Sequence, residues 1–208
     1  DCVEFYHMSK VSKFADMNYY VINLDDRPDR LRRVTKELQT VGIPFTRVPA
    51  VRTTPGRIGC ARSHIKALMQ AEGDIVAVFE DDVRFVGPRE LIHQAMWELP
   101  GDWDMLYLGA SPQEPLSSYS DHLFRLGKSK TTHAIIWHRR PGGAMEYVIE
   151  HEDSIDIAID NWLSQEVHPR FNCFLAYPLI CTQYQTRSDT CQRMDASSIE
   201  RNYRLYAR

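Results

Sequence analysis

A chain of 208 residues with 43% hydrophobic content is long enough for one domain with a substantial core, which excludes the disordered and fibrous classes. A formal net charge of -3 and an isoelectric point near 6.3 exclude the broad basic surface that tracks nucleic-acid phosphates, so no nucleic-acid partner is expected. No apolar run reaches the ~20 residues of a transmembrane segment, and the opening Asp1-Cys2-Val3-Glu4 lacks a signal-peptide layout; the expected setting is cytoplasmic, or at the cytoplasmic face of a membrane.

In chain order, residues 1–18 show no clean period and are expected to form an N-terminal arm. Tyr19 to Leu24 reads as a first strand, and Asp25-Asp26-Arg27-Pro28 turns into a helix whose apolar stripe is Leu31, Val34, Leu38 and Val41, stopped by Gly42. Ile43 to Val48 is the next strand. A Thr, Pro, Gly and Arg loop over 51–58 leads to a helix from Cys60 to Glu72, and Ile75 to Phe79 then reads as a strand buried on both faces. Strand, helix, strand, helix, strand with short connections predicts an α/β fold with a mostly parallel central sheet flanked by helices. Further on, a helix through Trp97 and a strand at Asp104–Gly109 are followed by a long Ser- and Pro-rich loop over 110–121, expected to act as a lid. Short strands at Leu123–Leu126 and Thr132–His138, a helix from Pro141, another through Ile155, Ile159, Trp162 and Leu163, a strand at Cys173–Tyr177 and a polar tail over 190–208 complete the chain. There is no internal repeat and no linker, so 1–208 is expected to be one domain. The five cysteines, at 2, 60, 173, 181 and 191, show neither zinc-finger spacing nor a disulfide framework, and reduced thiols are expected.

The chemistry concentrates where the buried strand runs into Glu80-Asp81-Asp82. In open α/β sheets, ligands bind beyond the carboxyl ends of the strands. Side-chain alternation puts Glu80 and Asp82 on one side as an acid-x-acid metal clamp and Asp81 on the other, among the cofactor-binding residues. Oxygen-only ligation suits Mg²⁺ or Mn²⁺. The first strand ends in Asn23-Leu24-Asp25, which would share the crevice. Arg27 and Arg30 are candidates for phosphate oxygens, and Ser63 and His64 sit in the first turns of a helix where unpaired N–H groups welcome anions. Asp160, and after it Asp156, four residues apart, are the candidates for a general base. His133 and His138 are further ligand candidates, of which at most one can face the acids.

Several of these stretches resemble glycosyltransferase family 25, the group of lipopolysaccharide-type and collagen-type galactosyltransferases. Val21-Ile-Asn-Leu-Asp-Asp-Arg-Pro-Asp-Arg30 is similar to that family's opening strand and turn. Gly59-Cys-Ala-Arg-Ser-His64 is similar to its Gly-Cys-x-x-Ser-His helix start, and Phe79-Glu-Asp-Asp-Val83 to its acidic motif. Asp104–Gly109, Asp160–Leu163, Tyr177-Pro178 and Ser188-Asp189 follow in order. The segment Thr131–His138 departs from the family's pattern, and 110–130 is short.

The resemblance implies a GT-A-type nucleotide-sugar-binding fold, inversion at the anomeric carbon and a metal-dependent donor site. The expected activity is transfer of a hexose from a nucleotide-sugar, a UDP-sugar, to a glycan or protein-linked hydroxyl acceptor, with Mn²⁺ or Mg²⁺ as cofactor. The alternatives are a catalytically silent sugar-nucleotide or carbohydrate-binding module of the same fold, and a metal-dependent phosphohydrolase, which would need a second ligand cluster.

Overall fold

The computed structural model describes residues 17–184 and 197–206. The expected arm, apart from its last two residues, lies outside them, as do Ser188-Asp189 and part of the expected tail.

The first half forms as its pattern predicts. β1 (Asn18–Asn23) leads to α1 (Pro28–Thr40), β2 (Thr46–Pro49), α2 (Gly56–Gln70) and β3 (Ile75–Glu80). Pro28 opens α1, where a missing N–H costs nothing, and Val34 and Leu38 are fully buried. The helix ends in a Schellman motif: Gly42 adopts φ +65°, its N–H donates to the Gln39 carbonyl at 3.1 Å, and the Ile43 N–H reaches the Leu38 carbonyl at 2.9 Å.

β4 (Val83–Phe85), α3 (Glu90–Glu98) and β5 (Met105–Tyr107) follow. The segment expected to be a long loop acting as a lid instead holds β6 (Ser111–Pro112) and all of β7 (Ser117–Ser120), then come β8 (Leu123–Arg125) and β9 (Ser129–Lys130). These short strands form through backbone pairing, which Ser and Pro composition does not advertise. β10 (Ala134–His138) and α4 (Ala144–Glu150) precede a stretch expected to be one helix. Only its second part is helical: a 3-10 turn (Glu152–Ser154) precedes it, residues 155–158 are not helical, and the four-residue α5 (Ile159–Trp162) runs on into a π turn (Leu163–Val167). β11 (Cys173–Ala176), β12 (Cys181–Gln183) and α6 (Ser197–Tyr206) complete the described chain.

The fold is α/β, with an 8-stranded sheet in the order β2-β1-β3-β10-β5-β11-β8-β7. β1 pairs in parallel with β2 and β3, and β11 with β5, whereas β10 runs antiparallel to both of its neighbours and β8 to both of its own. The sheet is therefore mixed in its pairings. Strand direction is still mostly shared, because only β10 and β8 point the other way.

Side-chain alternation feeds two apolar layers. Tyr20, Ile22, Val76, Val78, Ile135 and Trp137 pack against α2 and α4 on one face. Tyr19, Val21, Ala77, Phe79, Ile136 and Phe174 pack against α1 and α3 on the other. Full burial of each such aliphatic or aromatic side chain contributes about 2 kcal/mol. Covered on both faces, the sheet leaves its strand ends as the place where polar groups meet solvent. Among the described residues, no helix is long and apolar enough to cross a membrane.

Candidate functional site

A crevice opens at the carboxyl ends of the adjacent strands β1 and β3, under the amino-terminal end of α2. Asn23, Leu24, Arg30, Ser63, His64, Glu80, Asp81 and Asp82 all line it, together with Ala50 to Thr53, Cys60 and Gln183.

The floor is a chain of fixed polar contacts. Asn23 is buried and donates through Nδ2 to Asp81 Oδ2 at 2.8 Å and to the Arg27 carbonyl at 3.1 Å. Its Oδ1 accepts from Arg47 Nε at 3.1 Å, which sets the amide orientation. Arg30 Nη1 donates to Asp81 Oδ1 at 2.9 Å in a buried ion pair. Asp81 is thus committed to the protein on both oxygens. Burial raises its pKa, against the lowering pull of Arg30 and Asn23.

Glu80 points into another network. Its Oε1 accepts from Thr132 Oγ1 at 2.6 Å and lies 3.2 Å from His64 Nε2. Burial opposes ionisation of this carboxyl, but the hydrogen bond and charge of His64 and the Thr132 hydroxyl outweigh it and hold the pKa at about 2. Asp82 is the opposite case. Burial first, then the charges of Glu80 and Asp81, push its pKa up to about 7. Neighbouring carboxylates pushed this far apart suit a place where a cation settles.

Asp82 Oδ1 accepts from Gln183 Nε2 at 3.2 Å, and the Asp82 carbonyl from the Tyr184 N–H at 2.8 Å. Gln183 arrives through the pairing of β12 with β4, which sets it opposite Val83. Its Oε1 is buried without a hydrogen-bond partner, an oxygen beside Asp82 that protein groups leave unsatisfied.

The loop over 50–53 is tied to α2. Ser63 Oγ donates to the Gly59 carbonyl at 2.6 Å and accepts from the Val51 N–H at 2.8 Å. Gly59 permits this approach, because a Cβ there would sit 2.4 Å from the Val51 carbonyl oxygen and 2.9 Å from Thr53 Oγ1. At the rim, Arg52 bridges both oxygens of Asp26 at 2.7 and 2.6 Å.

Other residues singled out in the sequence lie elsewhere. Asp25 pairs with Arg47 at 2.5 Å, and Arg27 makes two 3.1 Å bonds to Asp29. Asp160 accepts from the Thr131 N–H at 3.2 Å and the Asn161 N–H at 2.8 Å. Thr131 is buried at φ +71°, a left-handed conformation that a β-branched residue rarely adopts, and the residue after it is the Thr132 that holds Glu80. Asp156 lies in a separate groove with Tyr147, His151 and Trp162. His133 stands at the acidic end of the sheet, where its carbonyl accepts from the Glu80 N–H at 3.0 Å. His138 is paired with Ile75 at the far end, its Nδ1 3.0 Å from the Trp103 carbonyl.

Side chains able to hold a divalent metal converge differently from the acid-x-acid pattern. One ligand atom each from Cys60, His64 and Glu80 lie within 4.8 Å of one another, the one such group among the described residues. Sulfur and nitrogen therefore stand beside a single carboxylate. The signal in the sequence is the four-residue spacing of Cys60 and His64 on α2, which puts both on one helix face. Arg47, Thr132 and Gln183 carry no comparable signal, because only strand pairing brings them in.

No family model matches the chain, and no curated protein matches it. Among solved structures, it is similar to a glycosyltransferase involved in glycosylation of the major capsid of PBCV-1, at 10% identity over 76% of this chain and 80% of that one, with a TM-score of 0.47. It is likewise similar to the inositol-1-phosphate CTP transferase from T. maritima, at 13% identity over 89% and 77%, TM-score 0.47. A Drosophila galactosyltransferase 7 mutant in complex with manganese, UDP-Gal and xylobiose matches at 11% identity over 89% and 79%, TM-score 0.44.

Proposed function

We propose that this chain is a glycosyltransferase that moves a hexose from a nucleotide-sugar, a UDP-sugar, to a glycan or protein-linked hydroxyl, with the donor seated in the crevice at the ends of β1 and β3. The observation that carries this reading is the asymmetric carboxylate pair in that crevice. Glu80 is held ionised, while Asp82 is pushed up to about 7 beside the unsatisfied oxygen of Gln183. Sequence stretches similar to family 25 glycosyltransferases fall on the same residues.

The donor set around Asp82 fits a hard divalent ion: two oxygens, Asp82 and Gln183 Oε1, with the Glu80 carboxylate on the same strand end. Mn²⁺ or Mg²⁺ held there would neutralise the diphosphate that leaves with the nucleotide.

The chain's own residues do the rest. Asn23, Asp81 and Arg30 lock the ends of β1 and β3 together, which fixes the crevice before a donor arrives. Arg52 stands at the mouth, where its guanidinium can exchange Asp26 for a phosphate oxygen. On this reading Asp160, which does not line the crevice but is joined to Glu80 through Thr131 and Thr132, takes the proton of the attacking acceptor hydroxyl, so that attack and departure occur in one displacement with inversion.

Thermal melts with UDP, CDP, GDP and ADP, each with and without Mn²⁺, test the reading, since a ligand stabilises by the logarithm of its saturation. UDP with Mn²⁺ gives the largest shift, and Asp82→Ala removes the metal-dependent part. Equal shifts for all nucleotides, or a normal metal response in Asp82→Ala, refute it. Tight UDP binding with no turnover of any UDP-sugar would favour the silent binding module.

A further inference from the structure

We propose that Cys60, His64 and Glu80 form a second cation site, one for a thiophilic transition ion of the zinc class. Cys60 and His64 lie on one face of the 15-residue α2, and Glu80 is the last residue of β3, so all three ligands come from regular elements packed in one layer. Their ligand atoms lie within 4.8 Å of one another. Around a tetrahedral zinc ion they would be roughly 3.5 Å apart; His64 Nε2 and Glu80 Oε1 already meet at 3.2 Å, so only Cys60 has to close in.

Thr132 Oγ1, 2.6 Å from Glu80 Oε1, is the outer partner that holds the carboxylate in position. His64, which is buried, directs Nε2 at the same oxygen from 3.2 Å, so an ion there takes over a contact already formed. All three side chains line the crevice, and no fourth His, Cys, Asp or Glu among the described residues joins the group, so the fourth coordination position falls to solvent or an anionic ligand.

The donor atoms set the metal class. A thiolate with an imidazole and one carboxylate oxygen selects Zn²⁺ or Co²⁺ over Mg²⁺, whereas the oxygens at Asp82 and Gln183 are a hard set. On binding, the Cys60 S–H bond and the His64 Nε2–H bond facing Glu80 both break, the protons leave to solvent, and metal–sulfur and metal–nitrogen bonds form; Glu80 binds as the carboxylate it already is. No electrons are transferred. The site shares Glu80 with the transferase reading but does not depend on it.

The test uses chelator-treated full-length chain and Co²⁺ alone as the probe. Wild type develops a sulfur-to-cobalt charge-transfer band in the near ultraviolet together with tetrahedral ligand-field bands, and Zn²⁺ abolishes both. Cys60→Ser loses the charge-transfer band while keeping its far-ultraviolet circular dichroism, and Thr132→Val weakens binding about tenfold. In a parallel measurement on wild type alone, Zn²⁺ slows iodoacetamide alkylation of Cys60, mapped by mass spectrometry, at least about tenfold, whereas Mg²⁺ does not. This arm decides the matter if Cys60→Ser fails to fold. Absence of the band in wild type, its persistence in Cys60→Ser, or alkylation indifferent to Zn²⁺ overturns the proposal. UDP-sugar turnover with Mn²⁺ is scored separately, so failure of the transferase reading leaves the cobalt result standing.

Discussion

Replacing Arg30 by Met tests whether the crevice floor is held by a buried charge pair. The two groups meet at 2.9 Å with 8% and 9% of their side-chain surface exposed, and breaking such a pair from one side costs about 3–5 kcal/mol. Asn23 still donates to the other Asp81 oxygen at 2.8 Å, so the lower end, about 3 kcal/mol, is expected at neutral pH. With a urea slope of about 2 kcal/mol per molar, the unfolding midpoint, followed by tryptophan fluorescence, drops by about 1.5 M.

The deficit depends on pH with a definite sign. Burial already raises Asp81, and loss of the guanidinium raises it further. Above about pH 4 the folded variant then holds a proton that the unfolded chain releases. That contribution is lost as pH rises through the folded-state pKa, so the deficit relative to wild type is smaller near pH 5 and larger near neutrality. Adding Asp81→Asn removes the stranded charge and restores at least half of the loss. A single variant within about 1 kcal/mol of wild type at neutral pH, or a deficit unchanged with pH, would refute the reasoning.

Three further outcomes follow from the same geometry. In chelator, Asp82 at about 7 means that the folded chain keeps a proton between about pH 4 and 7 that the unfolded chain gives up. This stability is present below about pH 4 and lost toward 7, and Asp82→Asn flattens that slope in thermal melts. Asp160→Asn lowers UDP-sugar hydrolysis by about a hundredfold or more, whereas Asp156→Asn, in its separate groove, stays within a few-fold of wild type; equal losses would remove Asp160 as the base. Gly59→Ala drives a Cβ against the Val51 carbonyl, costs about 2 kcal/mol in urea unfolding and shrinks the UDP-induced thermal shift. A normal shift there would show that the 50–53 loop does not contact donor.

The sequence discloses elements better than it discloses their arrangement. β1, α1, β2, α2 and β3 are legible because each has a single period and a clear stop, such as the αL Gly42. The strand-end acids are legible as well, since a buried apolar run that meets three carboxylates can end only at a sheet margin. The role of Asp81 is not: its side chain is spent on Arg30 and Asn23, a partnership between residues 51 and 58 positions away. The same distance hides Gln183, brought to Asp82 across 101 positions by the β4–β12 pair. The break in the helix expected across Ile155–Leu163 was invisible because its apolar spacing is helical throughout, whereas tertiary contacts decide where the backbone turns. Cys60 was in view as part of a motif, but a thiol four residues from an imidazole becomes a ligand candidate only once Glu80 is placed beside both.

β10 sits in the middle of the sheet, between β3 and β5, although both of those strands precede it in the chain. During synthesis, the two halves of the platform therefore stay unjoined until about residue 138 has left the ribosome, each with an open hydrogen-bonding margin. The acidic end of β3 lies on one of those margins. A polypeptide cut short before Ala134 would carry every carboxylate of the crevice and still lack the strand that pairs with β3 behind them.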